Sequence, residues 1–274
     1  MKSIYITVLM ILCFQFAYSQ QDTIFTNSEK IVCSIKEITV DGVSFTYPGE
    51  DLVNTIYKNT VEQIIFKSGR VQRFAEATSF KPVNGPEDFE NVSITKVEGE
   101  VKGLFKLANV SSKAKGTTTM SNIERVKERA YRKMKIEAAM QGANVIFLTQ
   151  QQTHGNQYGT DYQAGNTTET NIDGVAYANK IPKFEDFTAK IKDNSTYSVI
   201  SMLKFWSGGT DMENKDFMGV LSIKNITNES GLIMIDGTIP KIKATRFRVS
   251  FINDARFILV YEDKSTIYNV VVSL

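Results

Sequence analysis

His154 is the only histidine of the 274-residue chain, so any histidine-dependent chemistry must use it. It lies in a polar stretch, residues 153–159, and the chain contains no Gly-x-Ser-x-Gly nucleophile motif near it or elsewhere. A Ser-His-acid triad would therefore have to be assembled from distant residues, and the simpler interpretation is a solvated histidine. With one His and two Cys, the chain cannot form a His-rich or Cys-rich metal site. We predict no catalytic residue, no cofactor and no metal.

Three of the places where acidic residues lie close together are candidates for chemistry. Glu185–Asp186 and Glu262–Asp263 are adjacent pairs, and adjacent residues of a strand point to opposite faces, so neither pair is an obvious acid/base couple. Residues 211–216 contain three carboxylates and an amide that could contact Ca²⁺, but they lack the order of a calcium loop. A solvated connection between strands is the favoured interpretation of that segment.

Residues 150–171 are almost free of aliphatic side chains and include two tyrosines, Tyr158 and Tyr162. Long polar loops are usually either functional or disordered, and tyrosine-rich polar surfaces are suited to recognition. We therefore predict a recognition loop with His154, Tyr158 and Tyr162 as its candidate residues. The alternative is the mobile tip of a β-hairpin.

The first residues have the composition of an export signal. Lys2 precedes an apolar stretch over residues 4–16, and Ala17-Tyr18-Ser19 forms a small-x-small cleavage site. We place cleavage after Ser19, with Gln20 or Gln21 as alternatives, which predicts a periplasmic or secreted protein without a transmembrane segment. Cys33 then remains as the only cysteine, and the alternation of Ile31, Cys33 and Ile35 predicts a core strand.

The rest of the chain is predicted as an α+β fold in three domains. These are a small β domain over residues 20–80, a β-α-β-β domain over 91–180, and an antiparallel β sandwich or barrel over 190–274. Segments 81–90 and 181–190 have linker composition. Within the middle domain, a capping box of Ser121 and Glu124 predicts the start of a long helix, and Gly142 predicts its end. The predicted buried stripe of this helix is Ile123, Val126, Ala130, Met134 and Ala138.

The same helix has six Lys or Arg and three Glu between residues 124 and 137. Such a face could meet anionic lipid headgroups or an acidic partner. The apolar stripe is needed to cover the sheet, however, so a solvated face is the favoured interpretation. The small net charge of +2 gives no indication of nucleic-acid binding.

Two segments resemble known families. The first segment, residues 22–80, contains the sequences of residues 22–24, 29–38 and 64–69. On these it resembles an N-terminal β module of uncharacterised exported bacterial proteins. Residues 137–146 and the Gly174-Val175-Ala176-Tyr177 sequence resemble the YbjQ and RcsF superfamily of bacterial envelope domains. That resemblance implies a helix ending in small residues, packed on a sheet that a Gly-x-Ala-Tyr strand closes. YbjQ-like members have a nominal heavy-metal label and RcsF-like members have cysteine staples, but the matching residues here lack the cysteines for either.

From these observations we expect an exported, non-catalytic binding or scaffolding protein of the bacterial cell envelope, whose partner is another envelope protein or surface component. One alternative is a carrier that holds a small apolar ligand inside the C-terminal β domain. A hydrolase is the other alternative.

Overall fold

The computed structural model describes residues 21–26, 29–74, 80–159, 165–191 and 194–274. The predicted predominance of β-structure is confirmed, with 52% strand and 16% helix. The chain divides into two compact units, residues 1–77 and 78–274. The predicted signal peptide lies outside the described residues. Within the described part, no helix is both long enough and apolar enough to cross a membrane.

The first unit is a six-stranded antiparallel sheet with the strand order β4-β3-β2-β1-β5-β6. Residues 39–41 connect β2 to β3, and the Asp41-Gly42 hairpin signal lies where β3 begins. Cys33 is buried in the core, where burial raises the pKa of its thiol to about 11. The strands are β1 (Asp22–Thr26), β2 (Lys30–Ile38), β3 (Gly42–Thr46), β4 (Val53–Tyr57), β5 (Val61–Ile65) and β6 (Val71–Arg73).

The second unit begins with a four-stranded sheet covered by the long helix α1 (Ile123–Met140). The strand order is β7-β9-β10-β8, and β7 alone is parallel to its neighbour. Two strands precede the helix, as the apolar patterns of residues 92–97 and 104–110 predict, although the β-α-β-β order counted only one of them. Strand β8 extends beyond the predicted segment through residues 111–115, whose Ser- and Lys-rich sequence predicts a mobile segment, because it pairs with β10 along nearly all of its length. The strands are β7 (Ser93–Thr95), β8 (Phe105–Lys115), β9 (Val145–His154) and β10 (Glu169–Ala178).

Helix α1 begins one residue later than the capping-box pattern predicts. The N-cap is Asn122, whose side-chain oxygen accepts a hydrogen bond from the Arg125 backbone N–H at 3.0 Å. Ile123, predicted in the buried stripe, is 39% exposed. From Val126 onward the predicted stripe is buried. Gly142 ends the helix with a φ of +76°, a backbone conformation that favours glycine.

The C-terminal strands close into a six-stranded barrel in sequence order, β11 to β16. Helix α2 (Phe184–Ile191) occupies part of the segment predicted as a linker, and it contributes the buried residues Phe187 and Ile191 to the barrel core. Their apolar spacing of four residues is a helical signal. The strands are β11 (Thr196–Trp206), β12 (Glu213–Glu229), β13 (Leu232–Thr238), β14 (Arg246–Ile252), β15 (Arg256–Asp263) and β16 (Thr266–Ser273).

Helix α1 joins the sheet to the barrel because it has two buried faces. Met134 packs toward the sheet, whereas Ile136 and Met140 pack against Phe205 and Val260 on the barrel. The compact unit of residues 78–274 contains both the segment 91–180 and the segment 190–274.

Candidate functional site

The two ends of the predicted recognition loop extend the sheet. Strand β9 continues to His154, which lies opposite Glu169 on β10, and a further bridge pairs Gln157 with Asn166. His154 is thus an exposed strand residue at the start of the turn region. Tyr158 lies beyond the bridge and is 74% exposed. Tyr162 lies outside the described residues.

A network of polar groups holds the base of this hairpin against the segment that leads into helix α1. The Asn156 amide donates to the Ser121 carbonyl at 2.8 Å, and its oxygen accepts from the Thr168 backbone N–H at 2.8 Å. The Thr168 hydroxyl donates to the same oxygen at 2.9 Å. Thr168 is fully buried and Asn156 is partly buried, so these bonds are partly shielded from competing water. The hairpin base is therefore fixed relative to the start of the helix.

Exposed apolar side chains lie on the two segments that this network connects. We call Met120, Ile123 and Tyr158 the hairpin-end patch; Met120 is 82% exposed. Two close approaches bring their segments together. A Cβ atom built on Gly155 would lie 3.6 Å from Cδ1 of Ile123, and one built on Gly165 would lie 3.1 Å from Cγ2 of Thr119.

Sequence reasoning missed Met120 and assigned Ile123 to the core. The position of Ile123 at the first helical residue is the signal that could have indicated exposure.

The basic residues of α1 are mostly engaged within the protein. Arg129 donates to the Lys115 carbonyl at 2.9 Å, and Arg132 lies 2.7 Å from Asp211. Lys133 is buried and donates to the Lys113 carbonyl at 2.9 Å. The favoured expectation of a solvated basic face therefore does not describe Lys133, whereas Arg129 and Arg132 keep part of their surface exposed.

Two titratable groups with perturbed pKa values, Glu137 and Arg248, lie where α1 meets the barrel. Burial raises the pKa of Glu137 to about 7, although the Ser111 backbone N–H, 3.2 Å away, lowers it. Glu262 raises it further, and Lys133 lowers it. Burial lowers the pKa of Arg248 to about 10, against the effect of Glu262.

The carboxamide of Gln141 connects two of these charges. Its nitrogen donates to Glu262, and its oxygen accepts from Arg248 at 2.7 Å. Arg248 also donates to the Gln141 backbone carbonyl at 2.8 Å. Each polar partner in this set thus joins the end of the helix to strands β14 and β15, which favours an architectural role for the cluster. Glu262 is used here, so it is not free to pair with Asp263 in acid/base work.

Among the described residues, no group of three or more His, Cys, Asp or Glu side chains could hold a metal ion. Two carboxylates of the calcium candidate are paired with cations instead. Asp211 contacts Arg132, and Glu213 lies 2.7 Å from Lys204.

The barrel interior and a surface groove differ as places where a ligand could bind. The barrel interior is filled by buried side chains such as Leu221, Phe247 and Phe257, and α2 adds Phe187 to the same core. An open groove of about 740 Å³ lies instead between α1, β7 and β9, where Lys96, Tyr131 and Leu148 are among its lining residues.

Comparison with known proteins gave no match to a family, to a curated protein or to a solved structure.

Proposed function

We propose that the chain is an exported, non-catalytic binding or scaffolding protein of the bacterial cell envelope, and that the hairpin-end patch is its recognition surface. The observation that supports this most directly is the exposure of Met120 and Tyr158 on the segments that the partly buried polar network of Asn156 and Thr168 connects. Aromatic and methionine side chains are enriched at interfaces. A rigid base lowers the conformational entropy that is lost when a partner binds.

The filled barrel weighs against the alternative of an apolar-ligand carrier. A ligand-sized cavity usually has a volume of about 300–1,000 Å³, whereas Phe247, Phe257 and Leu221 occupy the barrel core with almost no exposure. To bind a ligand there, the barrel would have to expel part of its own core. Native mass spectrometry of the purified chain tests the carrier directly, because a retained small molecule would favour it.

Capture from an envelope extract tests the recognition surface. The bait is the full chain, and the variant is Met120→Ser with Tyr158→Ser, which removes apolar area from the patch without touching the core. The matched control is Met218→Ser, since Met218 is 91% exposed on a barrel strand. We expect the wild type and the control to capture the same protein and the patch variant to lose it. Equal capture by all three baits would refute the patch as the recognition surface.

Export is a separate part of the proposal and needs its own measurement. It is supported by the Lys2 and Ala17-Tyr18-Ser19 pattern and by the resemblance of residues 137–146 to envelope domains. We expect the chain recovered from a producing bacterium to lie outside the cytoplasm and to begin after Ser19, as read from its intact mass. An uncleaved chain found in the cytoplasm would refute export without bearing on the patch.

A further inference from the structure

Strand β4 is an outer edge of the first sheet. It pairs with β3 along its whole length, from Gly42 opposite Tyr57 to Thr46 opposite Val53, without a register shift. No other strand of the described residues pairs with its second side. An edge strand of this kind presents a row of unpaired backbone N–H and C=O groups to its surroundings.

The opposite edge of the same sheet is protected, and β4 is not. Strand β6 has only three residues; it ends in Arg73, and Arg70 lies directly before it. Short length and charge are the usual devices that prevent a sheet edge from pairing with another chain. Strand β4 has five residues, and none of them is charged or proline. The sheet therefore has one edge that is open to strand addition.

The side chains of β4 alternate between the core of the first unit and an exposed face of the sheet. Ile56 packs against the core of the first unit. On the other face, Val53 is 56% exposed and Tyr57 is 49% exposed, and Thr55 between them is also exposed. Leu52, just before the strand, is exposed as well. The open edge thus has an apolar face beside it.

We propose that two copies of the chain associate by antiparallel pairing of β4 with β4, about a twofold axis at Thr55. In this register, Val53 of one copy lies opposite Tyr57 of the other, and the two Thr55 residues lie opposite each other. Directly opposed residues of an antiparallel pair point to the same face. The exposed aliphatic and aromatic side chains therefore meet twice, in the symmetric arrangement that a twofold dimer requires.

The charges at the two ends of β4 favour a second copy of the chain as the partner. Glu50 and Asp51 precede the strand, and Lys58 follows it. Antiparallel pairing places the acidic end of one copy beside the basic end of the other, whereas parallel pairing would place like charges together. Lys58 Nζ lies 5.4 Å from the centre of the Phe74 ring, at the end of the strand.

A short edge buries little area, so the association of two copies is expected to be weak, with a dissociation constant on the order of micromolar.

Sedimentation velocity of the purified chain over a range of concentrations tests the dimer. The wild type should pass from monomer to dimer, and Val53→Lys with Tyr57→Lys should stay monomeric because it places lysines opposite each other. Val71→Lys on β6 is the matched control, since Val71 is also half exposed at a sheet edge, and it should behave as the wild type. A wild type that stays monomeric at millimolar concentration would overturn the proposal, even if its β4 edge bound a foreign extended peptide. Dimers of equal stability in the wild type, the double-lysine variant and the control would also overturn it.

A charge exchange tests the register. Asp51→Lys and Lys58→Glu should each weaken the homodimer by about tenfold, since cross-strand charge pairs become repulsive at both ends. An equimolar mixture of the two variants should form heterodimers at wild-type strength, because each contact then joins opposite charges. Failure of the mixture to recover association would overturn the antiparallel register. Because neither residue belongs to the hairpin-end patch, capture from the envelope extract should be the same for both variants, so failure of the dimer and failure of the proposed recognition surface are distinguishable.

Discussion

Replacing Glu137 by glutamine should remove a pH dependence from the stability of the second unit. Glu137 lies on helix α1 where the helix meets the barrel, and burial raises its pKa from an ordinary value of 4.5 to about 7. In the unfolded chain the same carboxyl ionises near its ordinary value. Between these two values the folded protein holds a proton that the unfolded chain releases, so the free energy of unfolding falls as the pH rises.

The size of the effect follows from the two pKa values. Each pH unit between the two pKa values lowers the free energy of unfolding by at most about 1.4 kcal/mol. The total loss between pH 4.5 and a pH above 7 therefore has an upper limit of about 3 kcal/mol. Residual solvation and movement of Lys133 toward the carboxylate would reduce it. The carboxamide introduced by Glu137→Gln cannot ionise, and its oxygen can still accept from the Ser111 N–H, so the variant should lack this loss.

Denaturation followed by tryptophan fluorescence measures the effect in the right part of the chain. The only tryptophan is Trp206, on β11 of the second unit. From pH 5 to pH 8.5, the stability of Glu137→Gln relative to the wild type should rise by about 1–3 kcal/mol. Glu128→Gln is the control, because Glu128 is exposed on the same helix, and it should follow the wild type. A difference between Glu137→Gln and the wild type that is constant with pH would refute the reasoning.

Three further predictions concern the folded framework. Met134→Asp should unfold the second unit because it places a charge at a fully buried position, whereas His154→Ala, at an exposed position, should leave the thermal melt unchanged; the reverse order would contradict the helix placement. Asn122→Ala should cost about 1 kcal/mol in chemical denaturation, since it removes the N-cap acceptor of Arg125 N–H, and an unchanged midpoint would contradict that cap. Cys33 should react with a thiol reagent only on unfolding, because it is buried and its pKa is about 11; rapid labelling of the native chain would contradict its burial.

Local patterns predicted several elements of the fold well. The spacing of Val126, Ala130 and Met134 indicated the face of α1 that covers the sheet, and Gly142 indicated its end. These signals are local, since residues three or four apart share one side of a helix. The start of α1 was predicted less well, because Ser121 and Asn122 are both good caps and their tertiary partners decide between them: the Ser121 hydroxyl accepts from Thr118 N–H, which leaves Asn122 as the cap.

The candidate site could be predicted only in part. The polar composition of residues 150–171 indicated a surface segment, and Tyr158 is indeed exposed. The extension of β9 to His154 was not predicted, because threonine and glutamine have no strong alternation and the strand is stabilised by pairing with β10. Met120 entered the site only through the tertiary contact of its segment with the hairpin, shown by the bond from Asn156 to Ser121.

The sequence by itself determined the β-rich composition of the chain, the apolar periodicity of its long helix, and the shortage of histidine and cysteine. These properties depend on residue type and on neighbours a few positions apart. Only the tertiary structure decided that Ile136 and Met140 form a second buried face, that Glu137 is enclosed between Ser111 and the barrel, and that β4 is an open edge. Each of these depends on which distant segments pack together, and burial and strand pairing join residues whose separation along the chain no local pattern records.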